Sequence, residues 1–241
     1  RICSLFKRRT AISRVIITDR LNIAIDGLSG CGKSTLAKGL ARHYGIIYVD
    51  TGALYRTVGL CMIKKGIASD DEKAIVDSLP EVDISVRLND GGAEVLLAGV
   101  PVGDEIRTPL ASKYASDVSR IPEVRAFLLD TQRRLAAENS CVMDGRDIGT
   151  VIMPSADVKI YLTAGDGERA VRRRDELAEK GVPAKLDEIR EALTKRDAND
   201  MNRTAAPAVA APDAVKLDNS GFTKEQTLAA AIAIIDKAVM K

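Results

Sequence analysis

Residues 27–35 read GLSGCGKST and satisfy the pattern GxxxxGK[ST], with Gly27, Gly32, Lys33 and Ser34 at its fixed positions. At average composition this pattern arises by chance roughly 0.01 times in a chain of this length. An apolar stretch at 22–25 precedes it, and an amphipathic stretch carrying Leu36, Ala37 and Leu40 follows. Strand, loop and helix therefore come in the order that phosphate binding needs. Glycines let the backbone curl so that N–H groups point inward, and the positive end of the next helix dipole lies beneath the same point.

The loop implies an ATP-binding set of Gly27, Leu28, Ser29, Gly30, Cys31, Gly32, Lys33, Ser34 and Thr35. Lys33 is expected on the β- and γ-phosphates, and the Ser34 hydroxyl on Mg²⁺, directly or through water. A glycine turn that merely packs a helix on a sheet is the plainer alternative, and the flanking pattern argues against it. Cys31 reads as a small loop residue. His43, the only histidine, falls in the helix after the loop and reads as structural.

Further apolar runs of strand length occur at 46–49, 141–143, 158–162 and 214–217, mostly separated by helix-like stretches. That alternation predicts a parallel sheet covered by helices. Helices are expected at 34–44, stopped by Gly45, at 123–138, and after Thr223, where Gln226 completes a capping box. The segment 82–102 differs: Val82, Ile84, Val86 and Leu88 alternate with polar residues before NDGG and a second apolar run at 95–97, which predicts an inserted antiparallel hairpin. Residues 166–203 are rich in both charges, with a break at Gly181 and Pro183, the composition of a mobile charged lid.

The bulk numbers matter mainly for what they exclude. With 36 basic against 34 acidic residues and 3% aromatics, neither charge nor stacking surface argues for nucleic acid. No apolar run approaches the roughly 20 residues of a membrane helix. Cys3, Cys31, Cys61 and Cys141 are widely spaced with no CxxC, which suits a reducing cytoplasm better than a zinc site or disulfide framework. Residues 1–20 carry six Arg or Lys against Asp19 alone and are read as an N-terminal extension outside the fold.

A phosphate loop alone leaves switches, motors and small-molecule kinases open. The other charged motifs narrow the choice. DTGALYR places Asp50, Thr51, Tyr55 and Arg56 at a strand-to-helix junction, suited to a second anionic substrate. Thr51 as a simple N-cap is the alternative there. DGRD places Asp144 at a strand's carboxyl end beside the phosphate loop, where a carboxylate can order Mg²⁺ through water, with Arg146 and Asp147 facing the acceptor. Arg169, Arg172, Arg173 and Arg174 precede RDANDMNR, which holds Arg196, Asp197, Asp200 and Arg203 at helical spacing. Several guanidiniums near a triphosphate stabilise charge on the transferred group; a solvated helix face is the alternative.

From about residue 22 onward the chain resembles the bacterial cytidylate kinase family of nucleoside monophosphate kinases, on GLSGCGKST, DTGALYR, EIRTPLASKYASDVSRIPEVR, DGRDIGTVIMP and RDANDMNR. The resemblance implies one kinase domain over 21–241. Its fold would be a three-layer α/β sandwich on a parallel sheet, with a monophosphate-binding insert at about 51–135 holding the hairpin, and a helical lid at about 166–185. It implies transfer of the ATP γ-phosphate to CMP or dCMP, with Mg²⁺, by a monomer. Thr51, Arg56, Arg146 and Arg203 would hold the acceptor phosphate, Arg196 and Asp200 would stand at the sugar side, and Tyr55 would pack near the nucleotide. Ser116, Arg125 and Asp147 would read cytosine, since a carboxylate accepts from its N4 amine while an Arg donates to N3 and O2. Lys33, Arg56, Arg146 and Arg203 would carry catalysis, and Arg172, Arg173 and Arg174 would close over the phosphates.

Leu28 and Cys31 replace the family's usual Pro and small residue, while Asn199 and Met201 replace residues that are often charged, which bears on rate more than on reaction type. The rivals are a related kinase acting on UMP or another small acceptor, and a nucleotide-hydrolysing switch. A guanine-reading switch would want NKxD, which does not occur.

Overall fold

The computed structural model describes residues 20–89, 92–179 and 181–239. The extension expected at 1–20 lies outside them except for Arg20, as do Asp90 and Gly91 of the NDGG turn. In chain order the elements are β1 (Asn22–Asp26), α1 (Lys33–Tyr44), β2 (Ile47–Asp50), α2 (Thr51–Lys65), α3 (Glu72–Ser78), β3 (Ile84–Asn89), β4 (Gly92–Leu97) and β5 (Val100–Pro101). There follow α4 (Pro109–Val118), α5 (Pro122–Glu138), β6 (Cys141–Gly145), β7 (Val158–Thr163), α6 (Asp166–Glu179), α7 (Leu186–Asn202), β8 (Val215–Asp218) and α8 (Lys224–Val239).

Five parallel strands form the main sheet in the order β2-β6-β1-β7-β8. Its two faces bury alternate residues. Ile23 and Ile25 of β1, Val142 of β6 and Ile160 of β7 pack with Leu36 and Leu40 of α1 and Ala231 and Ile235 of α8. Ala24, Val49 and Met143 point the other way, onto Leu135 and Ala136 of α5. A sheet covered on both faces favours apolar residues at successive positions, which is why the central strands read as mainly apolar runs, with the buried Lys159 of β7 offset by its pair with Asp213 (2.7 Å). Burying each large aliphatic side chain contributes about 1.5–3 kcal/mol.

Local chemistry sets the helix ends. Gly45 closes α1 at φ 67°, its N–H donating to the Ala41 carbonyl. Before α8, the Thr223 N–H donates to Gln226 Oε1 (2.8 Å) and the Gln226 N–H to Thr223 Oγ1 (3.2 Å), the reciprocal cap that their spacing predicts. Asp50, not Thr51, caps α2 by accepting from the Ala53 N–H (2.9 Å), so the Thr51 side chain is left for the site.

The segment between β2 and β6 has its own core, with Leu54, Val58 and Met62 of α2 packed with Ile75, Val118, Val124 and Leu128. The expected hairpin is present as β3 and β4, and β5 extends it to a three-stranded antiparallel sheet. Two residues of β5 are too few to show alternation. Helix α4 lies tight against α2, and a Cβ on Gly59 would come 2.7 Å from the Tyr114 Cβ. Helices α6 and α7 run either side of the break at Gly181, where φ is 71°.

Candidate active site

The loop between β1 and α1 has the curled backbone its glycines allow, with φ of 147° at Gly27, 78° at Gly30 and 91° at Gly32. Gly27 is also a steric requirement, because a Cβ there would lie 2.1 Å from the Leu162 carbonyl oxygen. Lys33 is buried and donates to the Leu28 carbonyl (2.6 Å). Burial and then the nearby Arg146 charge bring Lys33 down to about 7, so an anion beside it would favour its protonated form. The Ser34 hydroxyl donates to Asp144 Oδ2 (2.8 Å), and the Tyr48 hydroxyl to Asp144 Oδ1 (2.8 Å). Burial, with Asp50 close by, raises the Asp144 carboxyl. A hydroxyl and a carboxylate are hard oxygen donors and suit a magnesium ion that keeps several waters. His43 lies edge-on to Tyr44 at 4.7 Å, toward the far end of α1.

Across from this loop, Thr51, Tyr55, Ser116, Arg146, Arg196, Asp200 and Arg203 line one cleft together with Gly52, Ala115, Ser119 and Gly145. Seven of the ten expected acceptor-site residues therefore meet although they span 153 positions of sequence. Thr51 Oγ1 donates to the Asp144 carbonyl (2.7 Å), tying the start of α2 to the end of β6. Arg146 bridges the two halves, donating from Nη2 to Ser29 Oγ (2.7 Å) and from Nε to Asp200 Oδ2 (2.7 Å). Burial and then Arg146 bring Arg196 down to about 10. Burial would raise the Asp200 carboxyl, but Arg146 and Arg196 together hold it below its ordinary value.

The other three expected residues do not line the cleft. Arg56 donates to Asp50 (2.7 Å). Arg125 and Arg203 both pair with Asp147, Arg203 at 3.2 Å. The Arg125 guanidinium lies 5.6 Å from the centre of the Tyr55 ring, so this ion cluster adjoins the cleft through Tyr55 and reaches it through Arg203.

Of the three arginines expected in the lid, Arg172 alone reaches the phosphate loop, donating to the Cys31 carbonyl (3.4 Å) and to Asn219 Oδ1 (2.9 Å). Arg173 pairs with Glu176 and Arg174 with Asp175, both along α6 itself. Arg169 reaches the loop as well, donating to the Ser29 carbonyl (2.9 Å) and pairing with Asp197, whose Oδ1 accepts the Ser29 N–H (3.2 Å).

Sequence reasoning missed Asp26, Tyr48 and Asn219. Asp26 directly precedes Gly27, and its two carboxylate oxygens accept the N–H groups of Ile148 and Gly149, each at 2.8 Å. It thereby clips the phosphate loop's first residue to the turn that carries Arg146 and Asp147. Burial raises its carboxyl to about 6 despite those two bonds. An acid ending an otherwise apolar strand was a readable signal. Tyr48 and Asn219 gave none, because their partners Asp144 and Arg172 are distant in sequence.

A family model described as cytidylate kinase matches residues 23–237. A cytidylate kinase of Caldicellulosiruptor bescii is 46% identical over 220 residues, covering 91% of this chain and 97% of the relative. One from Flavobacterium johnsoniae is 40% identical over 225 residues, covering 91% and 98%. The solved structure of an uncharacterized protein from Eubacterium ventriosum aligns over 91% of this chain and 99% of its own at TM-score 0.52 and 15% identity, a likeness of fold alone.

Proposed function

The chain belongs to the cytidylate kinase family and phosphorylates CMP or dCMP, and from that premise we propose how its residues divide the work. ATP lies on the loop 27–35, with its terminal phosphates at Lys33. The acceptor lies in the cleft opposite, its phosphate held by Thr51, Arg56, Arg146 and Arg203, its sugar by Arg196 and Asp200, and its base by Ser116, Arg125 and Asp147. Transfer is direct and in line, so catalysis consists of positioning and of stabilising charge on the moving phosphoryl group. The observation that carries this reading is Arg146, which spans from Ser29 in the loop to Asp200 in the cleft. One cation thus lies between donor and acceptor, where transferred charge develops.

Ser34 and Asp144 would hold Mg²⁺ through their oxygens, and the bound ion would neutralise charge on the terminal phosphates. Arg169 and Arg172 join α6 to the phosphate loop, which supports a lid over 166–185 that excludes water when it closes. Both substrate sites are built from one chain, so a monomer suffices, and the kinase unit is taken as 21–241 with the insert at 51–135. Among the described residues no helix is long and apolar enough to cross a membrane. Cys31, Cys61 and Cys141 are free thiols, which supports a cytoplasmic setting.

The test is ADP formation from ATP and Mg²⁺ with CMP, dCMP, UMP, AMP, GMP or no acceptor. Strong stimulation by CMP or dCMP over UMP is expected. Hydrolysis indifferent to the acceptor would overturn the reading.

A further inference from the structure

The glycines that let the phosphate loop curl also leave its peptide planes free to turn, because a residue without a Cβ takes φ of either sign at little cost. The plane between Cys31 and Gly32 is of this kind, with φ of 91° at Gly32. A trans peptide directs its C=O and N–H to opposite sides, so whatever holds the Cys31 carbonyl also decides where the Gly32 N–H points. Asn219 holds it, with Nδ2 donating to the Cys31 carbonyl at 3.0 Å.

Asn219 is itself firmly placed. It is buried directly after β8, and its N–H donates to the carbonyl of Thr163 at the end of β7 (3.0 Å). The two residues that follow are tied to the start of α6, since the Gly165 N–H donates to Ser220 Oγ (2.9 Å) and the Gly221 N–H to Glu168 Oε1 (2.7 Å). Arg172 takes the other end of the amide, donating from Nη1 to Oδ1 and from Nη2 to the Asn219 carbonyl, both at 2.9 Å. An amide's nitrogen donates and its oxygen accepts, so these two partners fix which way the side chain faces. A carboxylate could serve Arg172 but not the Cys31 carbonyl, and an apolar side chain could serve neither.

We propose that Asn219 is a positioning residue for ATP: by holding the Cys31 carbonyl it aims the Gly32 N–H at the ATP phosphates, and by holding Arg172 it keeps that guanidinium at the rim of the loop. The inference rests on the placement of ATP on the loop 27–35. The bond to Cys31 is already formed in the structure, so the N–H is oriented before ATP arrives and binding does not have to turn it. Cys31, Arg172 and Asn219 all stand outside the lining of the acceptor cleft, so the effect belongs to the donor alone.

The experiment compares Asn219→Ala and Asn219→Asp with the parent in the full chain, by thermal melting and by KM for ATP and for CMP, each with the other substrate saturating. Asn219→Ala removes both side-chain contacts, whereas Asn219→Asp keeps the shape and an acceptor for Arg172 but has no donor for the Cys31 carbonyl. One misdirected hydrogen bond to a charged group corresponds to a rise of about tenfold or more in KM for ATP. That rise is expected in both variants, with KM for CMP within about twofold of the parent's. A parental KM for ATP in either folded variant overturns the proposal, and so does an equal rise for both substrates, which a general loosening of the fold would give. Failure of both variants to fold also overturns it, because the amide would then serve the fold rather than the loop. If Lys33→Ala raises KM for ATP or lowers kcat while the Asn219 variants match the parent, only this inference fails; if Lys33→Ala matches the parent in both, the placement of ATP on the loop fails first.

Discussion

Replacing Asp147 by asparagine tests the base-reading assignment and the ion cluster in one protein. Asp147 is 4% exposed and is the shared counter-charge for Arg125 and Arg203, whose side chains are 10% and 3% exposed. Asparagine keeps the shape but replaces one acceptor oxygen with an NH₂ group, which faces a guanidinium with hydrogens on both sides. Removing one member of a buried ion cluster costs about 3–5 kcal/mol. For a domain of this size that lowers the melting midpoint by about 6–20 °C.

On the proposed reading of the base by Asp147, the same exchange offers a donor where the carboxylate accepted, so cytosine's N4 amine would lose its partner and uracil's O4 would gain one. A base contact of this kind is worth about 1–3 kcal/mol, so the CMP over UMP ratio of kcat/KM should fall about 5- to 150-fold. ADP formation measured with both acceptors on one preparation gives that ratio directly. Because any unfolded fraction divides out of the ratio, destabilisation cannot imitate the effect. A folded Asp147→Asn enzyme with the parental ratio would show that the base is read by other groups.

Lys33→Ala should lower kcat by about 10²-fold or more, the usual loss for one transition-state donor, and near-parental turnover in the steady state would refute its role. Gly27→Ala forces a Cβ to within 2.1 Å of the Leu162 carbonyl oxygen at φ 147°; the strand ends must part, at a cost of at least about 1–3 kcal/mol, and an unchanged urea midpoint would contradict the geometry. Asp26 adds a pH signature, with its carboxyl at about 6 in the fold against an ordinary 3.8. A raised carboxyl contributes stability that is complete below pH 3.8 and lost as pH rises through about 6, about 3 kcal/mol in all. Urea unfolding at several pH values between 4 and 7 should show this decline in the parent and its absence in Asp26→Asn; identical pH slopes would refute it.

The fold was legible wherever its signal was local. Alternate residues of each central strand bury against opposite helix layers, so the strands stood out as apolar runs, and the cap at Thr223 and Gln226 needs only four consecutive residues. Strand β5 was hidden because Val100–Pro101 is held by pairing with β4 and has no pattern of its own. The loop glycines were legible for a similar reason, since a backbone at positive φ restricts residue identity at that very position.

The site was legible as a set of charges but not as a set of pairs. Sequence marks Arg125, Arg146 and Arg203 as chemically loaded, yet Asp147 serving two of them and Arg146 spanning from Ser29 to Asp200 depend on contacts of 22 to 117 residues' separation. Those pairings also account for the balance of charge. Arg146 lies between Lys33 and Arg196, and after burial its charge is the largest influence lowering each of them, to about 7 and about 10. Asp200 pairs with Arg146, and Asp144 and Asp200 oppose part of the effect at Lys33 and Arg196, yet both cations remain lowered, so further anions arriving beside them would favour their charged forms. On the proposed reading Lys33 meets the ATP phosphates, Arg146 the acceptor phosphate and Arg196 the acceptor's sugar end. Both substrates would then relieve the same strain, so seating one should ease the charging of the groups that receive the other.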